Sequence, residues 1–476
     1  MRHGILKGVV VTAMCAGVAA CGDITSINTN PNGPTDVPPP SVLSGVIQAT
    51  VYAADGDGTS VRYGGLWVQY YSEIQYRDED KYLVRPGVTG NWGLYNGALE
   101  DAQTMVDKGT EQGVPNWDAV GRIMKSYMFD LMTDAMGDLP YSQALQGTAD
   151  LQPTYDSQQS IYAAMFADLK QASDEIDPSG LGFDTGDLLY GGDMSAWRKF
   201  ANSLRLRLAM HLTSVDAATA KSEAQAAVAA GVFTSNDDNA TLMYLSASPN
   251  QNPIYTNAIS RDDYGMSKTF VDSLLSLNDP RLPIFADPNT ATGAYNGLPN
   301  GLNDGEGPDL STISRIGAYW RKTPGAPLAL QTYAEVLFAE AEAAQRGWIP
   351  GDPATLYTEA IRASMEQYGI ASGDIDTYLA QPRVQYSAGT GLTQIQYQKW
   401  IAMYMQGMEA WTEWRRTQVP HLMPGPRAVL SNIPERLPYA DNEAVLNEAN
   451  LNAAVSAQGF SSYTALDKPL WFTGRH

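Results

Sequence analysis

Between Trp117 and Met136 the residues Trp117, Val120, Ile123, Met124, Tyr127, Met128, Leu131, Met132 and Ala135 recur in steps of three and four. That spacing lines one face of an α-helix, which turns every 3.6 residues, and no face of a strand, which alternates every two. The pattern returns along the chain and predicts a molecule built mainly of amphipathic helices that bury their stripes on one another. Ser157 to Ile176 carries Ile161, Met165, Leu169, Ala172 and Ile176. Trp197 to Leu212 carries Phe200, Leu204, Leu208 and Leu212, with Arg198, Arg205 and Arg207 elsewhere around the helix. Ala218 to Ala230 predicts a short Ala-rich helix that closes at Gly231. Ile395 to Thr417 predicts the last long helix, its Tyr397, Trp400, Tyr404 and Trp411 on one buried face.

Gln331 to Gln345 and Pro353 to Tyr368 predict a further pair, divided by the turn Gly347–Gly351. Small residues at Ala334, Ala339, Ala341 and Ala344 followed by a tight turn and a second amphipathic helix resemble a tetratricopeptide-type hairpin. Three stretches break the helical period: 78–90, 236–253 with one short strand expected around Ala240–Leu245, and an irregular insert at about 287–327. Loops beyond about 15 residues in a compact protein usually carry function or are disordered.

The N-terminus has its own logic. Arg2 and Lys7 precede an apolar run that ends in Val18-Ala19-Ala20-Cys21. Basic residues, a short apolar stretch and small residues at the cut point make a secretory signal peptide over residues 1–20. A Cys directly after the small residues resembles a bacterial lipobox, so Cys21 is the expected lipidation site. The run is shorter than the roughly 20 apolar residues that a membrane-spanning helix needs. Residues 21–40, dense in Asn, Pro and Gly, read as an acylated tether without regular structure. At about 3.3 Å per extended residue it could reach some 60 Å from the lipid. Residues 41–476 then form a single helical domain.

Cys15 falls inside the signal segment, which leaves Cys21 alone in the exported chain. No intramolecular disulfide and no thiolate metal cluster can form there. Removing Arg2 and Lys7 leaves 29 basic against 52 acidic residues, a formal charge of −23. That surface repels nucleic acid and anionic headgroups, so contact with the membrane is expected through the anchor only.

Catalytic and metal signatures are missing. The chain has no G-x-S-x-G, no H-E-x-x-H, no G-K-[ST] and no G-x-G-x-x-G. His211, His421 and His476 lie far apart and read as core, loop and chain end. Asn28, Asn30, Asn32 and Gly33 mimic the start of a calcium loop but lack its acidic ligands, and Pro39 stands where the closing Glu belongs. The reading is therefore a non-enzymatic protein without cofactor or metal. Paired carboxylates such as Asp262–Asp263 or Glu340–Glu342 keep open a glycoside hydrolase, since separation in space decides that chemistry. A helical interaction scaffold without a small ligand is the other alternative.

The ligand candidates are aromatic. Tyr63, Trp67, Tyr70, Tyr71, Tyr76, Tyr82, Trp92 and Tyr95 put eight aromatics in 33 residues, among Glu73, Arg77, Asp78, Asn91 and Asn96. Sugar rings stack their C–H faces on aromatic planes, while amides, carboxylates and guanidinium groups bond the hydroxyls. From this segment Trp67, Tyr71, Trp92, Tyr95 and Asn96 are the candidates, although helical spacing also fits them to a core. The insert offers Tyr295, Asn296, Asn300, Asn303, Trp320 and Arg321. A third set is Asn250, Gln251, Asn252, Arg261 and Asp262. Trp400 and Trp411, at regular helical spacing, are assigned to the core.

Seven stretches together resemble the SusD/RagB family of nutrient-binding outer-membrane lipoproteins over nearly the whole exported chain. They are NTNPNGPT at 28–35, GDLPYSQAL at 137–145, WRKFANSLRLRLAMHL at 197–212, NDPRL at 278–282, YAEVLFAEAEA at 333–343, QKWIAMYMQGMEAWTEWRRT at 398–417 and IPERLPYADNEAVLNEANLNAAV at 433–455. The resemblance implies a mainly α fold. Tetratricopeptide-like hairpins would form a right-handed solenoid side, packed against a loop-rich ligand-binding side with a few short strands. It also implies a lipid-anchored protein of the outer membrane that faces the exterior. Such a protein binds an oligosaccharide, or a peptide, and delivers it as a lid to a partner SusC-type TonB-dependent β-barrel.

Overall fold

The computed structural model describes residues 37–85 and 91–475. The expected signal peptide, Cys21 and the Asn28–Gly33 stretch lie outside them. The first helix, α1 (Pro39–Asp55), begins with two prolines of the expected tether. Proline suits a first helical turn, where its missing N–H would have no partner. A row of helices follows: α2 (Ala98–Gln112), α3 (Pro115–Met136), α4 (Gln158–Glu175), α5 (Met194–His211) and α6 (Ala217–Ala230). Each packs on the next. Side chains close their N-termini: Ser157 accepts from the Ser160 amide, Asp193 from Ser195 and Ala196, and Asp216 from Thr219.

The predicted hairpin is α8 (Tyr333–Gln345) against α9 (Pro353–Glu366), reached after α7 (Pro253–Ser260). It starts later than expected. Thr332 caps α8, and Gln331 belongs to strand β6 (Leu328–Gln331), antiparallel to β2 (Ala240–Leu242). Four other short strands form a second sheet in the order β1-β3-β5-β4: β1 (Tyr71–Glu73), β3 (Tyr264–Met266), β5 (Arg315–Ile316) and β4 (Ala286–Asp287). All its neighbours are antiparallel, with Tyr71 opposite Met266 and Asp287 opposite Arg315. The insert is therefore partly ordered by a sheet.

The long helix expected from Ile395 to Thr417 is two helices, α10 (Gly391–Ala402) and α11 (Gly407–Thr417), broken where Met405 adopts φ +80°. The cause is tertiary. A π-helix at Asp57–Gly65 lies against α11. A Cβ on Gly64 would stand 2.3 Å from the Gly407 carbonyl oxygen, and one on Gly407 would stand 2.6 Å from that of Ser60. Backbone meets backbone there, so α11 must start at Gly407 on its own axis. Trp400 and Trp411 are buried as expected.

Arg205 and Arg207, expected off the apolar face of α5, are buried as well. Glu223 and Glu335 reach them at 2.6 Å, and such pairing is what lets a guanidinium leave water. Among the described residues no helix is long and apolar enough to cross a membrane.

Candidate ligand-binding clefts

The loop-rich side has few regular ladders, so side chains must satisfy its backbone. Asp80 is the hub. It accepts from Ser72 Oγ at 2.8 Å, Asn300 Nδ2 at 2.7 Å and the Gly301 amide at 3.0 Å. Its burial pushes the carboxyl up to about 6 against those hydrogen bonds. Asn300 also donates to the Tyr71 carbonyl and accepts from Ser267 Oγ. Arg77 donates to the carbonyls of Asn303 and Glu306 at 2.9 and 2.8 Å. Glu73, buried beside Glu79 and Asp80, is pushed up to about 10, first by burial and then by those two acids. These residues pin the insert to β1.

On this pinned surface two clefts flank α7. The larger, about 450 Å³, lies against its first turn and is closed by α1 and the segment after β2. Tyr52, Leu188, Met243, Leu245 and Pro249 give it an apolar lining, with Gln48, Asn250 and Gln251 as amides. Tyr52 is 50% and Met243 61% exposed, so their faces are open. Tyr52 Oη donates to Asp57 Oδ1 at 3.3 Å, which steadies the ring, and Asn257 Nδ2 holds the other oxygen of Asp57. The Gln251 amide donates to the Ser246 carbonyl, whereas the Asn250 side chain is unpaired among the described residues. An apolar hollow of this size with a few amides suits a small or oligomeric ligand that presents both C–H faces and hydroxyl or amide groups.

The second cleft, about 420 Å³, lies beyond the C-terminal end of α7 and is charged. Arg321 grips Asp262 with two hydrogen bonds of 2.9 and 2.6 Å, which hold the guanidinium above its usual range. Lys322 pairs with Asp287 at 2.7 Å, and burial lowers Arg315, whose nearest carboxylate is 3.9 Å away. Near the end of α7, Arg261 lies over the ring of Tyr76 at 5.1 Å and pairs with Asp263. Tyr76 is 57% exposed. Among the described residues neither cleft holds a group of His and acidic side chains with metal-ligand spacing.

The candidates read from the sequence divide sharply. Trp67, Tyr71, Trp92 and Trp320 are buried and are corrected to core residues. Trp67 packs on Tyr63 and Trp411 and donates to the Glu79 carbonyl. Tyr71 donates to Met405 Sδ, and Trp92 lies among Tyr95, Tyr155 and Tyr439. Trp320 packs on Phe285 and Tyr404 and bonds the Pro327 carbonyl. Tyr95 is half-buried, with its hydroxyl on the Pro140 carbonyl, beside the exposed Asn96 and away from both clefts.

Arg261, Asn296 and Asn303 are exposed and Tyr295 is half-buried. Asn296 reaches the Thr312 carbonyl and Asn303 the Glu306 carboxylate, so both amides also serve the insert. From the third set Asn250 and Gln251 line the larger cleft, while Asn252 is buried as the cap of α7. Sequence reasoning missed Tyr52, Leu188, Met243 and Leu245. Tyr52 left a signal: it falls off the stripe of Leu43, Val46, Ile47 and Val51, an aromatic on the wet face of its helix.

A family profile described as SusD-like, starch-binding associating with outer membrane, matches residues 31–440. No curated protein sequence matches the chain. Among solved structures, one described as a chitin-binding protein is 31% identical, with a TM-score of 0.79 over 90% of this chain and 99% of that one. A chitin-binding SusD homologue from Flavobacterium johnsoniae is 25% identical, with a TM-score of 0.81 over 91% and 99%. A SusD homologue from Bacteroides fragilis is also 25% identical, with a TM-score of 0.81 over 93% and 100%.

Proposed function

The chain belongs to the SusD-like family associated with the outer membrane, and from that premise we propose that it captures an oligomeric glycan at the larger α7 cleft. The carrying observation is the lining: open faces of Tyr52, Leu188, Met243 and Leu245 beside the unpaired amide of Asn250. Pyranose C–H faces stack on such surfaces, and an amide bonds hydroxyl or acetamido groups. The two chitin-binding relatives make an N-acetylated glycan the first ligand to try, with a peptide as the alternative. Of the earlier candidates, Arg261, Tyr295, Asn296 and Asn303 stay proposed as outer contacts.

The protein acts by binding without turnover and hands its ligand to a SusC-type TonB-dependent barrel, over which it sits as a lid. Acylation at Cys21 anchors it to the outer membrane facing the exterior, with residues 21–40 as its tether. Tethering raises the effective concentration at the barrel mouth, so modest affinity suffices.

Calorimetric titration with chito-, malto- and cello-oligosaccharides and with short peptides tests the reading. Saturable binding of one class, weakened about tenfold by Tyr52→Ala, is the expected result. Binding unaffected by Tyr52→Ala moves the site elsewhere. Release of new reducing ends would favour the hydrolase instead. Gentle solubilisation and pull-down test the partner, because a stoichiometric β-barrel should come down with the chain.

A further inference from the structure

Four helices bring buried charge to one point in the core. Asp55 ends α1, Asp130 and Asp134 stand one turn apart on α3, Arg207 and His211 on α5, and Glu409 and Glu413 on α11. All are buried. Several already have partners. Arg207 is held by Glu335 through hydrogen bonds of 2.6 and 2.7 Å. Glu413 is taken by Arg416 at 2.7 Å and Lys399 at 3.1 Å.

What remains is four carboxylates, those of Asp55, Asp130, Asp134 and Glu409, with the His211 imidazole against the last three and Tyr162 Oη donating to Asp134 at 2.7 Å. His211 Nδ1 is 3.0 Å from Asp134 Oδ2 and 3.6 Å from Asp130 Oδ1, and Nε2 is 2.9 Å from Glu409 Oε1. Two guanidinium groups stand nearby: Arg207, already held by Glu335, comes within 3.8 Å of Glu409, and Arg415 donates to the main-chain carbonyl of Asp134. Asp55, Asp130, Asp134 and Glu409 line a cavity of about 10 Å³ together with Arg207, room for one water-sized occupant next to His211. Asp55 Oδ2 and Asp130 Oδ1 are buried without any hydrogen-bond partner among the described residues.

A water there could donate two hydrogen bonds but would leave the excess negative charge uncompensated, and uncompensated charge is what burial penalises most. Oxygens of Asp130 and Glu409 and a nitrogen of His211 all lie within 4.8 Å of one another. One ion with ligand bonds of about 2.0–2.4 Å spans that set. We propose that the point beside this cavity where Asp130, His211 and Glu409 converge is a structural divalent-cation site, with those three as ligands and Asp55 and Asp134 as the surrounding acids. Two carboxylates and an imidazole suit zinc or manganese. The ion would tie α3, α5 and α11 together. It binds the neutral imidazole, so loading releases a proton and weakens as pH falls.

The test uses the full chain, stripped by dialysis against EDTA and then titrated separately with Zn²⁺ and Mn²⁺. Metal content is read by elemental mass spectrometry and stability by thermal denaturation. The expected result is one equivalent retained after gel filtration, with Tm raised by at least about 5 °C in a saturable way. Asp130→Asn and Glu409→Gln, near-isosteric changes that relieve like-charge repulsion, should both lose the retained equivalent and the Tm rise. Absence of retained metal in the wild type with an unchanged Tm overturns the proposal and leaves protons to balance the acids. Retention that is equal in both variants also overturns it, by locating the metal on the acidic surface.

Discussion

The helix row and the loop side use the same residue types for opposite purposes. In the helices the backbone satisfies itself, and polar side chains are free to meet one another. Arg207 finds Glu335, Arg416 finds Glu342, and His211 sits among four acids. On the loop side the backbone has few ladders, and polar side chains are consumed in serving it. Arg77 bonds three carbonyls, Asn300 a fourth, Asn252 a fifth at Ala326, and Asp80 an amide. An abundance of Asn and Asp in a loop is therefore a poor guide to ligand contacts. Most of them bind the loop itself, and the surface left for a ligand is made by apolar and aromatic faces that nothing else claims.

The largest effect expected from breaking this contrast is among the helices, at the buried Arg207–Glu335 pair. Arg207→Ala leaves Glu335 buried without its partner and should cost about 3–5 kcal/mol in urea denaturation. A cost under about 1 kcal/mol would mean that this pair is wetter than its burial indicates.

A middle-sized effect comes from Asp80, through pH. Its folded value of about 6 lies above the ordinary 3.8, so the folded protein binds this proton more tightly than the unfolded chain. The penalty is present in full above pH 6. It is relieved as pH falls through 6 towards 3.8, by up to about 3 kcal/mol for a shift of roughly 2 units. The opening free energy of the Gly301 amide, from hydrogen exchange corrected for intrinsic rate, should therefore rise between pH 8 and pH 5. Asp80→Asn should flatten that profile. A profile unchanged by the substitution would assign the pH dependence to another group.

The smallest effect is at the surface. Tyr76→Ala and Tyr52→Ala remove rings at least half exposed and should shift stability by no more than about 0.5 kcal/mol. A larger loss at either position would make that ring part of the scaffold and leave the cleft without a free aromatic face.

The helices were legible because their period is local, and α3 to α6 fall within a few residues of where their apolar spacing puts them. The break between α10 and α11 was not, because its cause lies some 340 residues away at Gly64. The strands, two to four residues long, are too short to alternate. Family membership was legible from seven ordered stretches. The clefts were half legible. Asn250 and Gln251 were marked by their polar loop, yet the aromatic-rich segment misled, since Trp67, Tyr70 and Tyr71 follow a π-helix into the core. Aromatic density reports how much surface is worth burying, and only the fold decides which rings are left outside.

The approach of Gly64 to Gly407 has a bearing on how such a molecule can change. Most contacts in a core can be retuned by trading one side chain for another. This one has no side chains to trade, so the spacing between the first aromatic segment and α11 can be altered only by moving main chain. Variation in the clefts can accumulate around that fixed point without disturbing it, whereas a methyl group at either glycine would have to reshape the whole junction at once.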